Sequence, residues 1–224
     1  MTSQTKTPRA KKAEPRPAPR LYLVTPRVED ATAFAGELAA ALQAGDVAAV
    51  LLRFGSADER TRINIAKALS PIAQNKNVAL LLDGQVDLVA RAGVDGAHLT
   101  GIADFTAALA QLKPDRIAGV GGLETRHDAM TAAELGADYV MFGEPDSNGE
   151  RSAFGAIEER IAWWAEVFEA PCVGFAAAIE EVAPLVKAGA DFIALGDWIW
   201  RDSAAVAATI ADAAQRMRLP ETAA

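Results

Sequence analysis

Short apolar runs alternate along this chain with longer stretches in which apolar residues recur every three or four positions. The pattern is clearest over 79–100, ALLLDGQVDLVARAGVDGAHLT. A continuous apolar run fills 79–82. Val86, Leu88, Val89 and Ala92 then follow at helical spacing up to Gly93, and a second apolar run fills 96–99. Two short runs flanking about ten helical residues predict strand, helix and parallel strand. A crossover of this kind buries both strands under helices. Ligand groups in such folds gather just past the carboxyl ends of the strands, which singles out Asp83, His98 and Thr100.

The same alternation continues through the chain. Strands are predicted at 21–25, 48–52, 79–82, 96–99, 116–120, 138–142, 172–175 and 191–195. Helices are predicted at about 30–44, 58–73, 86–92, 104–112, 124–135, 157–168, 179–188 and 203–217. Pro26 is expected to stop the first strand, Asp30 to cap the first helix, and Pro114 to end the fourth. A long polar loop, 143–152, follows the sixth strand. Eight strand–helix units in strict alternation predict a single-domain (β/α)8 TIM barrel over 21–219. The rival is an open doubly wound sheet. It places a Gly-rich phosphate turn after its first strand, and Thr25-Pro26-Arg27 is no such turn.

Three segments share one plan: AGVDGAHL (92–99), LGADYVMFG (135–143) and AGADFIALG (188–196). In each, a helix closes on glycine, which supplies the left-handed cap. Asp95, Asp138 or Asp191 then precedes a strand. That is the stability face of a barrel, so these aspartates read as structural turns.

Charge narrows the function classes. The first twenty residues carry six of the 22 basic residues and one of the 30 acidic ones, leaving 16 basic against 29 acidic, a net of −13. So acidic a body argues against nucleic acid as ligand. The tail 1–20 is rich in Pro, Lys, Arg and Ala and is expected to be disordered; residues 220–224 read as a flexible end. No apolar run approaches the ~20 residues of a membrane span, and the first twenty lack the apolar core of a secretory signal. The single Cys172 excludes an internal disulfide and reads as a buried thiol. These features fit a reducing cytoplasm.

LYLVT (21–25), LLR (51–53), VDLVARAGVDGAHL (86–99), IAGVGG (117–122), LGADYVMFG (135–143) and AGADFIALG (188–196) occur in the order and spacing of one family. The set resembles the thiamine phosphate synthase and TenI family, from Leu21 to about Trp200. The resemblance implies a small (β/α)8 barrel. It also implies a reaction that joins hydroxymethylpyrimidine diphosphate to thiazole phosphate with magnesium, releasing diphosphate.

Residue by residue, the family's chemistry is largely substituted. In the second strand's Gln-x-Arg-x-Lys, Leu51 replaces the glutamine, Arg53 stays, and Gly55 replaces the lysine. The third strand's Asn-Asp-Arg is Asp83-Gly84-Gln85. After the fourth strand the motif reads His98-Leu99-Thr100-Gly101-Ile102-Ala103. Gly84 and Ala103 thus occupy the family's two magnesium carboxylate positions, leaving Asp83 and Asp104 as the remaining metal candidates. Gly121 and Leu123 stand where the family has a serine and a histidine or threonine. Arg151 alone can stand in for the lysine that reaches the diphosphate. The Gly-Gly that cradles phosphate is Ala176-Ala177, and the serine after strand eight is Asp197.

These substitutions leave a set of candidate binding residues: Arg53, Asp83, His98, Thr100, Gly121, Gly122, Glu144, Arg151 and Asp197. Arg53 reads either as an anion-binding guanidinium or as the ion-pair partner of Asp83. His98 reads as a hydrogen-bonded core histidine or a catalytic one, and His127 as a solvated helix residue. Glu144, Asp146 and Arg151 fall on the long loop, whose default is solvation. Trp198 and Trp200 read as an aromatic lid, as packing, or as a homodimer interface. No lysine lies at a strand's carboxyl end, which removes Schiff-base chemistry. Two functions remain. One is a synthase-type enzyme with reduced or altered activity. The other is a non-catalytic paralogue binding a small anionic heterocycle or a protein partner.

Overall fold

The computed structural model describes residues 17–218. Eight parallel strands, β1 (Arg20–Val28), β2 (Val47–Phe54), β3 (Ala79–Asp83), β4 (Gly96–Thr100), β5 (Ile117–Gly121), β6 (Tyr139–Phe142), β7 (Cys172–Ala176) and β8 (Phe192–Leu195), close into a barrel in sequence order. Helices α1 (Ala31–Ala44), α2 (Glu59–Gln74), α3 (Val86–Ala92), α4 (Ile102–Leu112), α5 (Arg126–Glu134), α6 (Phe154–Val167), α7 (Val182–Ala188) and α8 (Val206–Arg216) surround it. The open-sheet alternative is excluded by the pairing of β1 with both β2 and β8.

Alternation along each strand divides the core in two. Leu21 and Leu23 face the helices beside Val50, Leu52, Leu80 and Leu82. Tyr22 and Val24 face inward, where Ala49, Leu51, Leu81, Tyr139, Met141, Val173, Phe175 and Ala194 fill the barrel. The period of two within strands and the helical period between them produce these two layers directly. The inner layer is the floor on which the mouth is built.

Local chemistry sets the helix starts. Asp30 Oδ1 accepts from the Thr32 N–H at 2.7 Å, and Asp58 Oδ1 from the Thr61 N–H at 2.7 Å. Thr125 and Asp128 form a reciprocal capping box at the start of α5. The three repeated aspartates lie on the opposite face from the mouth. Asp95 Oδ2 accepts from the Leu80 N–H (2.8 Å), Asp138 Oδ2 from the Ala118 N–H (2.7 Å) and Asp191 Oδ2 from the Cys172 N–H (2.8 Å). Each ties the turn before an even-numbered strand to the preceding odd-numbered strand. Asp95→Ala would leave the Leu80 amide, in a fully buried residue, without its acceptor. A loss of about 1–3 kcal/mol is expected in urea unfolding.

Several boundaries differ from the sequence pattern. Pro26 does not stop β1, which runs on to Val28. The β1–β2 register shifts between Val24 and Arg27, and proline sits in that irregularity, where the ladder demands no N–H. Arg20, assigned above to the tail, opens β1: its side chain holds Asp46 and the Val47 carbonyl. Residues 17–19 have no regular structure, and the rest of the expected tail, like 219–224, lies outside the described residues. The seventh helix opens with a 3-10 turn, Ile179–Glu181. A second 3-10 turn, Asp197–Trp200, follows β8 and delays α8 to Val206. Among the described residues, no helix is long and apolar enough to cross a membrane.

Candidate active site at the barrel mouth

Every candidate binding residue except His98, which is buried at the middle of β4, lies at or beyond a strand's carboxyl end, but they do not form one site. They form three clusters and a separate cleft.

The first cluster sits over β1, β2 and β8. Thr25 is fully buried, and its carbonyl accepts from Arg53 Nε at 2.8 Å. That contact turns the guanidinium toward β8, where Nη2 meets Asp197 Oδ2 at 2.7 Å. The expected alternative, a pair between Arg53 and Asp83, therefore does not form. Asp83 lies on the other neighbour of β2. Burial raises its carboxyl above the ordinary range, and Arg53 and then Arg27 pull it back down.

The second cluster rises through β4, β5 and β6. Tyr22 and Tyr139 share a hydrogen bond between hydroxyls at 2.9 Å, and His98 Nδ1 lies 3.0 Å from the Tyr139 hydroxyl. The imidazole also stacks on Tyr139, with centroids 5.7 Å apart. His98 is thus a hydrogen-bonded core residue, and burial pushes its pKa down to about 4, so it is neutral. Glu144 caps this column. Its Oε1 accepts from the Gly122 N–H, and a Cβ on Gly121 would overlap the Glu144 carboxyl and approach His98 Nε2 to 3.0 Å. Only glycine fits there. Burial pushes the Glu144 carboxyl up to about 7, against the pull of its own backbone amide, the Gly122 amide, Arg151 and Arg160. The solvated-loop reading of Glu144 is corrected: the residue is half-buried and bonded, because β5 presents a side-chain-free surface to it. Thr100 is exposed, its methyl group over Gly122.

The third cluster holds Arg151, which is not solvated either. Its Nε donates to the Gly143 carbonyl (2.9 Å) and its Nη2 to the Phe175 carbonyl (3.1 Å). Its Nη1 lies 2.9 Å from both Glu181 oxygens. Glu181 Oε2 also accepts from the Ala177 N–H at 2.8 Å. A backbone amide and a guanidinium, the parts of an oxyanion site, here hold the chain's own carboxylate. Trp198 closes the adjoining space by donating to the Ala176 carbonyl at 2.9 Å. Trp200 packs edge-on to Phe34 and donates to the Val24 carbonyl at 2.8 Å. Both tryptophans are thus held by contacts within this chain, Trp200 buried and Trp198 half-buried.

Asp83 stands apart, in a cleft of about 340 Å3 lined also by Arg27, Phe54, Gly55, Ser56, Arg62 and Gln85. A Cβ on Gly55 would overlap the side chain of Glu29, which fills the space of the missing lysine.

Comparison with known proteins matches this architecture to one family. The thiamine monophosphate synthase profile matches residues 21–199. Thiamine-phosphate synthase of Rhodospirillum centenum is 42% identical over 203 residues, spanning 89% of this chain and 98% of that one. The chain belongs to the thiamine monophosphate synthase family. Its likeness to the synthase of Hyphomonas neptunium is 38% over 208 residues, spanning 88% and 93%. The solved thiamine phosphate pyrophosphorylase of Pyrococcus furiosus superposes with a TM-score of 0.71 over 88% of this chain and 95% of that one; at 19% identity it shows the shared fold.

The family's magnesium does not fit the residues present. Gly84 offers no side chain, Asp104 is exposed in the first turn of α4, and Asp83 faces arginines instead of a second carboxylate. No three His, Cys, Asp or Glu side chains among the described residues are placed to hold a metal ion. Magnesium affinity in the absence of substrate is therefore expected to be weaker than micromolar, checked by calorimetry.

Sequence reasoning missed Glu181, Tyr22 and Tyr139. The tyrosines were detectable, since each occupies an inward position of a strand whose next inward residue, Val24 or Met141, is apolar. Glu181 carried no such signal, being one of two adjacent glutamates in a helical stretch.

Proposed function

We propose that this barrel binds a small anionic heterocycle at its mouth. It joins hydroxymethylpyrimidine diphosphate to thiazole phosphate far more slowly than a family member with the full residue set. One observation carries this reading: the two arginines expected to bind the anion, Arg53 and the lysine stand-in Arg151, are each paired from within, Arg53 with Asp197 and Arg151 with Glu181. A diphosphate leaving group needs its developing charge met by free cations or metal. A bound phosphate would have to displace two carboxylates that are already paired, and each displaced carboxylate would then repel it.

A second reading, a non-catalytic paralogue, is favoured by the same pairs together with the absent magnesium carboxylates. Diphosphate release, followed with both substrates and magnesium present, tests the proposal. The first reading expects slow but measurable turnover well below about 1 per second, the low end for enzymes. Turnover at or above that rate overturns both readings. Tight substrate binding with no release supports the second.

A further inference from the structure

Residues 144–150 run between two fixed points at the barrel mouth. β6 ends at Phe142, and Gly143, with φ +93°, turns the chain out of the strand. Arg151 fixes both ends of the segment. Its Nε holds the Gly143 carbonyl, while the rest of the guanidinium is fastened to the Phe175 carbonyl and Glu181. Residues 145–150 are exposed. Their hydrogen bonds among the described residues close within the turn. Asp146 Oδ1 accepts from the Asn148 and Glu150 amides at 2.8 and 2.9 Å, and the Asp146 amide donates to the Glu150 carbonyl at 2.7 Å. The contact that ties this turn inward is the Gly122 N–H on Glu144 Oε1. Gly119 and Gly121 face into the barrel, since a Cβ on the first would meet the Tyr139 ring and one on the second the Glu144 carboxyl. The carboxyl therefore fills the inward space that a side chain on Gly121 would take. A segment held to the body by so few hydrogen bonds belongs to the part of a fold that opens most easily.

We propose that residues 144–150 form a flap over part of the mouth, hinged at Gly143 and Arg151 and latched by Glu144 on the Gly122 amide. The latch is sensitive to protons. Burial holds its carboxyl at about 7, and release into water returns it toward the ordinary 4.5. The latched form thus keeps a proton that the released form gives up. Latching is strongest below pH 4.5, weakens as pH rises to 7, and is weakest above that. The groups facing Glu144 do not reverse this sign. His98 on β4 stays neutral above about pH 4. Burial pushes the Tyr22 and Tyr139 hydroxyls, from β1 and β6, above their ordinary range, so both stay neutral. Asp83 on β3 acts on the same two hydroxyls, and its charge has the sign of an ionised latch. Arg151 and Arg160 stay charged throughout. The flap adds regulation to the reading of an anionic ligand at the mouth, and rests on that reading only for what the mouth admits.

Amide hydrogen exchange, followed by NMR on the full chain without ligand at pH 5 and pH 8, tests the flap. Dividing each rate by that of an unstructured chain at the same pH leaves the opening equilibrium. Protection of the Gly122 amide is expected to fall at least ~10-fold from pH 5 to pH 8. The Leu80 amide, held by Asp95 on the opposite face, should change little, which separates flap opening from unfolding. Glu144→Gln should keep Gly122 equally protected at both pH values, and Glu144→Ala should lose that protection at both. Equal protection of Gly122 at both pH values in the unmodified protein overturns the flap. So does the same fall in Glu144→Gln, or a parallel fall at Leu80. No ligand enters this experiment, so its failure leaves the turnover assay to judge the proposed function.

Discussion

Thiazole phosphate should bind the variant Glu181→Ala, Asp197→Ser ~10- to 100-fold more tightly than the unmodified protein, about 1.4–2.8 kcal/mol by calorimetry. Both arginines keep their places in the variant. Arg53 Nε stays on the Thr25 carbonyl, and Arg151 keeps the Gly143 and Phe175 carbonyls. What changes is the competition. Removing Glu181 frees Arg151 Nη1 and the Ala177 N–H together; removing the Asp197 carboxyl frees Arg53 Nη2. The two alanines that replace the family's phosphate-binding glycines are not the obstacle. Asn77 is the only described non-glycine residue with positive φ, so Ala176 and Ala177 carry no left-handed strain. The Ala177 amide already holds an oxyanion. Changing Ala176 and Ala177 to glycine should therefore add little beyond the double variant. The gain should shrink with added salt, since it is electrostatic.

Glu144→Gln is expected to stabilise the protein at pH 8 by up to roughly 3 kcal/mol and to leave it nearly unchanged at pH 4. The folded-state pKa of Glu144 is about 7 against an ordinary value of 4.5. Between these values the folded chain holds a proton that the unfolded chain has released. Its stability therefore falls as pH rises from about 4.5 to 7, and the loss is complete above 7. Glutamine keeps an acceptor for the Gly122 N–H and has no charge to bury. His98 acts in the opposite direction. Its folded pKa is about 4 against 6.5, so its contribution is complete above 6.5 and is lost as pH falls toward 4. The two slopes oppose each other over most of the same window. The unmodified protein should show a shallow profile there, and Glu144→Gln should expose the steep loss below pH 6.5 that belongs to His98. Urea unfolding at a series of pH values reads both effects.

The barrel was legible in the sequence because it rests on local periodicity. The apolar run at 79–82 and the helical spacing of Val86, Leu88, Val89 and Ala92 predict what forms as β3 and α3. Asp95, Asp138 and Asp191 were readable as turn residues because each follows a helix-ending glycine and precedes a strand. Pro26 was misread because a proline's effect on a strand depends on the partner's register, a property of β2 rather than of β1.

The mouth was legible only as a roster. Arg53, Glu144, Arg151 and Asp197 all lie there, but their partners are set by which side chains meet across the barrel. Arg53 and Asp197 are 144 positions apart, and Arg151 and Glu181 are 30 apart. No periodicity encodes such pairs. Glu144 shows the limit most plainly. A glutamate on a polar loop reads as solvated until β5 is seen to offer Gly121 and Gly122 as the surface beneath it.

The central claim is that the amide and guanidinium beside β7 are already occupied by Glu181. The backbone amide resonance of Ala177, followed by NMR during titration with thiazole phosphate, tests it most directly. The account predicts no shift of that resonance in the unmodified protein and a saturable shift in Glu181→Ala. A saturable Ala177 shift in the unmodified protein, equal to that in the variant, would show the cup open and contradict the account.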